Sequence, residues 1–193
     1  MHRCLSALRS FTRTGLVFGF AALVVGWVQD DAANSPKFLR TTIDFGIVCS
    51  DVEKSVKFYR DAIGFTEADG FDVPGDFAND AGLSDGHPFH VHVLVLGEDS
   101  RATKLKLMQF KPAPGARVDN RFLHSSYGLR YMTLIVDDLD AALKRAAAHG
   151  VKPIAKGPVA LPEGFPEGLY LANVRDPDGN LVELIGPRPQ SAK

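Results

Sequence analysis

Short apolar-rich stretches occur at 42–49 and 130–136, and each leads into a segment with helical spacing. After the first stretch, apolar residues recur every three or four positions over 51–63. The apolar stretches predict strands, and the spacing predicts a helix. Ser50 and Glu53 form an S-x-x-E capping box at the start of this helix, and Gly64 suits its end.

The same order of elements occurs twice. After the first helix, the pattern predicts a loop with one helical turn near 77–81 and strands at 65–73, 90–96 and 103–110. The second copy predicts a helix at 138–149 and strands at 130–136, 151–155, 169–175 and 180–185, the last two joined by the turn DPDGN. A shift of 87 residues takes Asp44 onto Tyr131 and Asp51 onto Asp138, which indicates an internal repeat.

The repeat predicts an α+β fold of two tandem βαβββ modules within one domain. The expected boundaries are a linker at 34–40, a domain at 41–187 with modules 41–111 and 126–187, and a tail at 188–193. The composition, 45% hydrophobic and 23% charged, is typical of a folded globular protein and excludes a disordered chain. The net charge is −1 and no block of Lys or Arg occurs, which argues against a nucleic-acid partner.

The N-terminal segment, 1–33, has a different pattern from the rest. Three arginines precede an uncharged apolar run at 15–28, and no acidic residue occurs before Asp30. This pattern predicts a secretory signal peptide, and therefore an exported, periplasmic or extracellular protein. The cleavage site is weak, so an uncleaved N-terminal membrane anchor is the alternative; a mitochondrial presequence and a buried helix fit less well. Outside this segment Cys49 is the one cysteine, so the domain cannot form an internal disulfide.

Four segments together resemble the vicinal oxygen chelate superfamily, which includes glyoxalase I, bleomycin-resistance proteins and extradiol dioxygenases. They are DFGIVCSDVEKSVKFYRDAIGF, TKLKLMQF, YMTLIVDDLDAALKRAAAHGV and VRDPDGNLVELIGP. The resemblance covers about residues 41–187 and implies that the two modules curve into a half-barrel cup. It implies no particular reaction, because this fold supports many.

The resemblance also implies where a metal site would lie. Metal ligands in this family usually come from the first and last strand of each module, and the matching positions are Asp44, Lys106, Tyr131 and Glu183. The usual set is two histidines and two Glu or Gln, so Glu183 alone matches. Lys106 has no lone pair and repels a cation. We therefore expect that the inherited metal site is lost.

Lys106 stands where the metal would be bound, flanked by the carboxylates of Asp44 and Glu183. One interpretation is a structural salt bridge that fills an unused pocket. The other is a ligand-binding anchor, formed with Tyr131, for an anionic or carbonyl-bearing molecule. If the protein is an enzyme, Glu183, Lys106 and Tyr131 are the candidate catalytic residues.

His90 and His92 lie two positions apart on a predicted strand, with valines at 91, 93 and 95 on its other face. We expect the valines to pack on a helix and the histidines to face the cup, where they line the ligand pocket. As an alternative, His90, His92 and Glu183 provide the three donors of a two-histidine, one-carboxylate metal site.

The sequence thus predicts a protein that binds a small organic molecule, and it favours no cofactor. The alternative is a glyoxalase-type enzyme, a lyase, isomerase or dioxygenase, with a divalent metal. The expected partners are the small-molecule ligand and, under further hypotheses, a second copy in a homodimer or a membrane at the N-terminus. Metal content discriminates best between the two functions.

Overall fold

The computed structural model describes residues 37–98 and 101–189 of the 193-residue chain. The described residues from Arg40 onward form one compact unit. The predicted targeting segment, 1–33, lies outside the described residues. Within 37–98 and 101–189, no helix combines the length and the apolar character needed to cross a bilayer.

The first module follows the order that the sequence predicts. Its elements are β1 (Phe45–Val48), α1 (Val52–Lys57), β2 (Thr66–Val73), α2 (Gly75–Asp80), β3 (Phe89–Val95) and β4 (Lys104–Met108). The strands form one sheet in the order β1-β4-β3-β2, with β1 parallel to β4 and the other pairs antiparallel. The single helix expected at 51–63 is α1 followed without a break by a π-helical segment, Phe58–Ile63.

The second module repeats this arrangement. Its elements are β5 (Tyr131–Ile135), α3 (Leu139–Ala148), β6 (Val159–Ala160), β7 (Leu169–Arg175) and β8 (Leu181–Pro187), and the sheet order is β5-β8-β7-β6. Two mixed four-stranded sheets with few helices confirm the predicted α+β fold of two tandem modules. The strand predicted at 151–155 is wrong: the structure places β6 later, and Pro153 in that stretch lacks the N–H that a strand ladder needs.

The start of α1 also differs from the prediction. Its N-cap is Asp51, whose carboxylate accepts a hydrogen bond from the Lys54 amide at 3.1 Å. The amide of Ser50 instead donates to Asp178 in the second module at 2.9 Å, so the capping box at Ser50 and Glu53 is wrong. Gly64 ends the helical segment with φ 105°, as predicted, because that conformation is costly for other residues.

One hydrophobic core joins the two modules on the helix-covered side of both sheets. It contains fully buried residues from each module, among them Tyr59, Leu105, Leu107, Leu139, Val174 and Val182. The helices also touch directly, since Arg145 of α3 donates to the carbonyl oxygens of Ala62 at 3.3 Å and Ile63 at 2.6 Å. These bonds satisfy carbonyls at the end of the first-module helix.

A buried polar contact fixes the second-module turn to the first-module helix. The Tyr59 hydroxyl donates to the Asp176 carboxylate at 2.9 Å, and both residues are buried. Asp176 also accepts from the Asp178 amide at 3.0 Å and from the amide and side chain of Asn180 at 2.7 and 2.8 Å. The DPDGN turn is therefore shaped by one carboxylate. Burial and this anionic neighbour raise the pKa of Tyr59, so its hydroxyl stays protonated and donates.

The outer edge of the first sheet is formed by β2. Its backbone has a bulge between Ala68 and Phe71, and all of its side chains except Val73 are exposed. Gly70 lies in the bulge, where a Cβ atom would come within 2.4 Å of the Val91 carbonyl oxygen. The bulge therefore requires glycine at this position.

Candidate functional site

The strand register identifies the residues that line the concave face of each sheet. In the first module Lys106 lies opposite Gly46 on β1 and opposite Val93 on β3. In the second module Glu183 lies opposite Thr133 on β5 and Asn173 on β7. Directly opposite residues share a face. Leu105 and Leu107 point to the core on the other side, so Lys106 and Glu183 occupy the concave faces of their respective sheets.

The first module places an ion pair at the inherited metal positions. The Lys106 Nζ atom lies 3.2 Å from Asp44 Oδ2, and Asp44 also accepts from the Lys104 amide at 3.3 Å and from the Arg40 guanidinium. Partial burial opposes ionisation of Asp44, but the hydrogen bonds from Arg40 and Lys106 outweigh it and lower its pKa. This carboxylate is therefore ionised at neutral pH. Its stabilising effect is present above its unfolded pKa and is lost as the pH falls through the lower, folded value.

The second module has a separate polar pair. Thr133 Oγ1 donates to Glu183 Oε1 at 2.9 Å. Lys106 lies within hydrogen-bond reach of at least one of the two predicted carboxylates, which confirms that prediction for Asp44. Glu183 makes no hydrogen bond or ion pair with Lys106: among the described residues, no such contact joins the Asp44–Lys106 pair to the Thr133–Glu183 pair.

The prediction that His90 and His92 face the cup is wrong. His92 lies opposite the buried Leu107, whereas Val93 lies opposite Lys106, so the histidines point away from the concave face. His92 lines a groove beside α1, and His90 Nδ1 lies 2.7 Å from Asp72 Oδ1. The valines of β3 do pack on a helix, but that helix is α2, which covers the concave side through Ala78.

These positions exclude the alternative metal set of His90, His92 and Glu183. The histidines lie on the helix-covered face of the first sheet, and Glu183 lies on the concave face of the second. Across residues 37–98 and 101–189, no cluster of three or more His, Cys, Asp or Glu is placed to hold a metal ion.

A cavity of about 260 Å³ lies along the seam between β1 and β5, which are not hydrogen-bonded to each other. It is lined by Gly46, Val48 and Tyr131, and the side chains of Val48 and Tyr131 are half exposed there. We call it the seam cavity. Gly46 is the register neighbour of Lys106, so the lysine lies one strand away from the cavity wall.

A larger cavity of about 450 Å³ adjoins the seam cavity and shares Val48 and Asn180 with it. Its other walls come from the segment after β4 and from the DPDGN turn, including Gln109, Arg117 and Asp178. Sequence reasoning missed this cavity. The DPDGN motif predicted the turn that forms one wall. The segment between the modules has no periodic pattern, so its position could not be predicted.

The donor set at the four inherited positions does not fit a divalent metal. The Asp44 carboxylate is already paired with the Lys106 ammonium, and that ammonium has no lone pair for a metal. A divalent ion about 4 Å from that ammonium would meet a repulsion of about 8 kcal/mol at an effective dielectric near 20. Glu183 alone remains as a strong donor, whereas protein metal sites usually need three or four.

Of three similar solved structures, the first two below agree with the fold. A glyoxalase family protein from Bacillus cereus is 21% identical, with 79% of this chain and 97% of that one covered and a TM-score of 0.63. A glyoxalase I variant from Zea mays is 17% identical, with 75% of this chain and 43% of that one covered and a TM-score of 0.55. TnmS3, an antibiotic-binding protein from Streptomyces, is 27% identical over 79% of this chain and 99% of that one, with a TM-score of 0.49.

No curated protein matches the chain. The family described as Glyoxalase/Bleomycin resistance protein/Dioxygenase superfamily matches residues 40–184, which is most of the chain and includes both modules. The two sheets, their repeated order and this match lead to the same assignment. The chain is a member of the glyoxalase, bleomycin-resistance and dioxygenase superfamily.

Proposed function

We propose that this protein binds a small organic molecule on its concave face and that Lys106 anchors the ligand in place of the family's metal. The observation that carries the proposal is the ion pair of Lys106 with Asp44 at the inherited positions. In place of a bound metal ion, the protein has the positively charged ammonium group of Lys106 at this point. The ligand feature that fits it is an anionic or carbonyl oxygen.

The local charge favours an anionic head group. Arg40 and Lys106 both contact the single carboxylate of Asp44, so this cluster carries a net charge of about +1. The Lys106 ammonium has three N–H donors and Asp44 takes one of them. About a third of the lysine side chain is exposed, so the remaining donors are open to a ligand.

The seam cavity suits an apolar body attached to that head group. Val48 is 54% and Tyr131 is 53% exposed, which leaves apolar surface uncovered beside Gly46. Burial of such surface stabilises a complex by roughly 25 cal/mol per Å² of apolar area. The metal-dependent enzyme that the sequence offered as an alternative lacks support from the donor set at Asp44, Lys106 and Tyr131.

Binding of 2-naphthoate and of 2-naphthamide to the full chain tests the anchor. The two molecules share an apolar body, but only the first is an anion. We expect naphthoate to bind at least tenfold more tightly in calorimetric titrations, because it pairs with Lys106. The variant Lys106→Gln should remove that preference and leave the weaker binding of naphthamide unchanged.

Lys144→Gln is the matched control, because Lys144 is an exposed lysine on α3, a helix that packs on the core side of the sheets. It should bind both molecules as the unaltered protein does. Equal affinities for naphthoate and naphthamide, or a preference that persists in Lys106→Gln, would contradict the anchor.

We also propose that the protein is exported, either with a cleaved signal peptide or tethered by an uncleaved one. The support is the arginine-then-apolar pattern of residues 1–33. A chain that starts at residue 34 should be soluble and should unfold cooperatively in a thermal melt monitored by circular dichroism. Aggregation of this truncated chain under conditions that keep the full chain soluble would show that residues 1–33 belong to the fold.

A further inference from the structure

We propose that the second module has its own ligand site, separate from the Lys106 anchor, for a small carboxylate that also carries a hydroxyl group. The site is a chamber of about 180 Å³ between residues 112–125, which link the two modules, and the concave face of the second sheet. Leu123, Arg130, Asn173 and Arg175 are among its walls. We call it the linker chamber. At about 30 Å³ per water molecule, it has room for roughly six waters or one small organic acid.

The linker is fastened over the chamber by two arginines. Arg130 donates from Nε to the Leu123 carbonyl at 3.2 Å and from Nη2 to the Asp119 carbonyl at 2.9 Å. Arg175, on β7, donates from Nη2 to the Arg121 carbonyl at 3.0 Å. These bonds hold the linker backbone at a fixed distance from the sheet, so the chamber is a built feature of the fold.

The charges around the chamber favour an anion. Arg121, Arg130 and Arg175 contribute three positive charges, and Arg121 pairs with Asp119 at 2.9 Å. When Asp119 and Glu183, the register neighbour of Asn173, are counted with these arginines, the net charge is about +1. Within the described part of the chain, no group accepts from Arg175 Nε or Arg130 Nη1. A carboxylate is the group that such guanidinium donors bind best.

Asn173 sets the second requirement. Its Oδ1 atom is buried, and none of the described groups donates a hydrogen bond to it. A buried acceptor without a donor is unfavourable, so a bound molecule that brings a donor binds more tightly for that reason. A simple carboxylate brings acceptors alone and would leave Oδ1 unsatisfied. A hydroxyl on the neighbouring carbon supplies the missing donor.

Glycolate and acetate are the probes, because they differ by one hydroxyl group. We expect the full chain to bind glycolate at least tenfold more tightly than acetate in calorimetric titrations, with a matching rise in the melting temperature. Asn173→Leu removes the acceptor at similar volume and should abolish the difference between the two acids. Arg175→Lys, which keeps the charge but loses the planar fork, should weaken the binding of glycolate.

The Lys106→Gln variant separates this site from the anchor, because it should keep the tenfold preference for glycolate over acetate. Loss of that preference in Lys106→Gln would assign the acid to the anchor and overturn a separate chamber. Equal affinity for the two acids, a difference that survives Asn173→Leu, or no heat and no thermal shift with 10 mM glycolate would also overturn the proposal. A failure of the naphthoate experiment leaves these outcomes unchanged.

Discussion

Replacement of Asp176 with alanine is expected to lower the free energy of unfolding by about 3 kcal/mol. The Asp176 carboxylate accepts four hydrogen bonds, one from the Tyr59 hydroxyl and three from Asp178 and Asn180. The change leaves the buried Tyr59 hydroxyl without an acceptor and removes the group that shapes the turn. Urea unfolding followed by circular dichroism measures the effect.

Tyr59→Phe is the partner variant, and it removes one of these four bonds without changing the turn. We expect it to cost about 1.5 kcal/mol, and the double variant to cost less than the sum of the two. Asp137→Ala, an exposed aspartate next to α3, is the control and should change stability by less than about 0.5 kcal/mol. A loss below 1 kcal/mol for Asp176→Ala would show that the contact between the modules is not a major source of stability.

The second expected result concerns metal binding. The unaltered protein should show no thermal shift with zinc, nickel or manganese, because Lys106 occupies the Asp44 carboxylate. The triple variant Asp44→His, Lys106→Glu, Tyr131→His restores the residue types that the family uses and keeps Glu183. A metal at 100 times its dissociation constant should stabilise this variant by about 2.7 kcal/mol.

The single variant Lys106→Glu is the control, because it removes the repelling charge but adds no histidine. It should bind metal more weakly than the triple variant does, because it lacks the two histidine ligands. Stoichiometric metal in the unaltered protein, lost on Glu183→Ala with the fold intact, would overturn the anchor and favour the metal-dependent enzyme. No metal binding by the triple variant would show that the four positions do not meet at one point.

The fold could be predicted because its signals are local and occur twice. The apolar runs at β1 and β5, the helical spacing before Gly64 and the DPDGN turn each depend on neighbouring residues. The prediction of which face of β3 lines the cup was wrong, because an element distant in the sequence determines which side chains are covered. The β3 valines do pack on a helix, but no periodicity reveals that α2 folds back over the concave side and takes the place assigned to the histidines.

The candidate site was predicted in part, for a similar reason. The pairing of Lys106 with Asp44 follows from two neighbouring strands, and the motif register was enough to find it. Glu183 belongs to the other sheet. The distance between Lys106 and Glu183 depends on how the two sheets curve, which the sequence of either strand does not determine. The linker chamber depends on carbonyl groups of an irregular segment, whose positions are set by Arg130 and Arg175 and by no pattern in the linker itself.

The free edge of β2 bears on self-association. Exposed strand edges are templates for pairing with another chain, and eight residues of β2 lie at the outer edge of the first sheet. Asp69 and Asp72 are exposed on this edge strand, and the bulge at Gly70 breaks the regular spacing that a second strand would need. Two copies that approached edge to edge would bring like charges together across a bent ladder. The same edge should be the first place to aggregate if those acids were replaced by apolar residues, and high salt, which screens their charge, should weaken the protection.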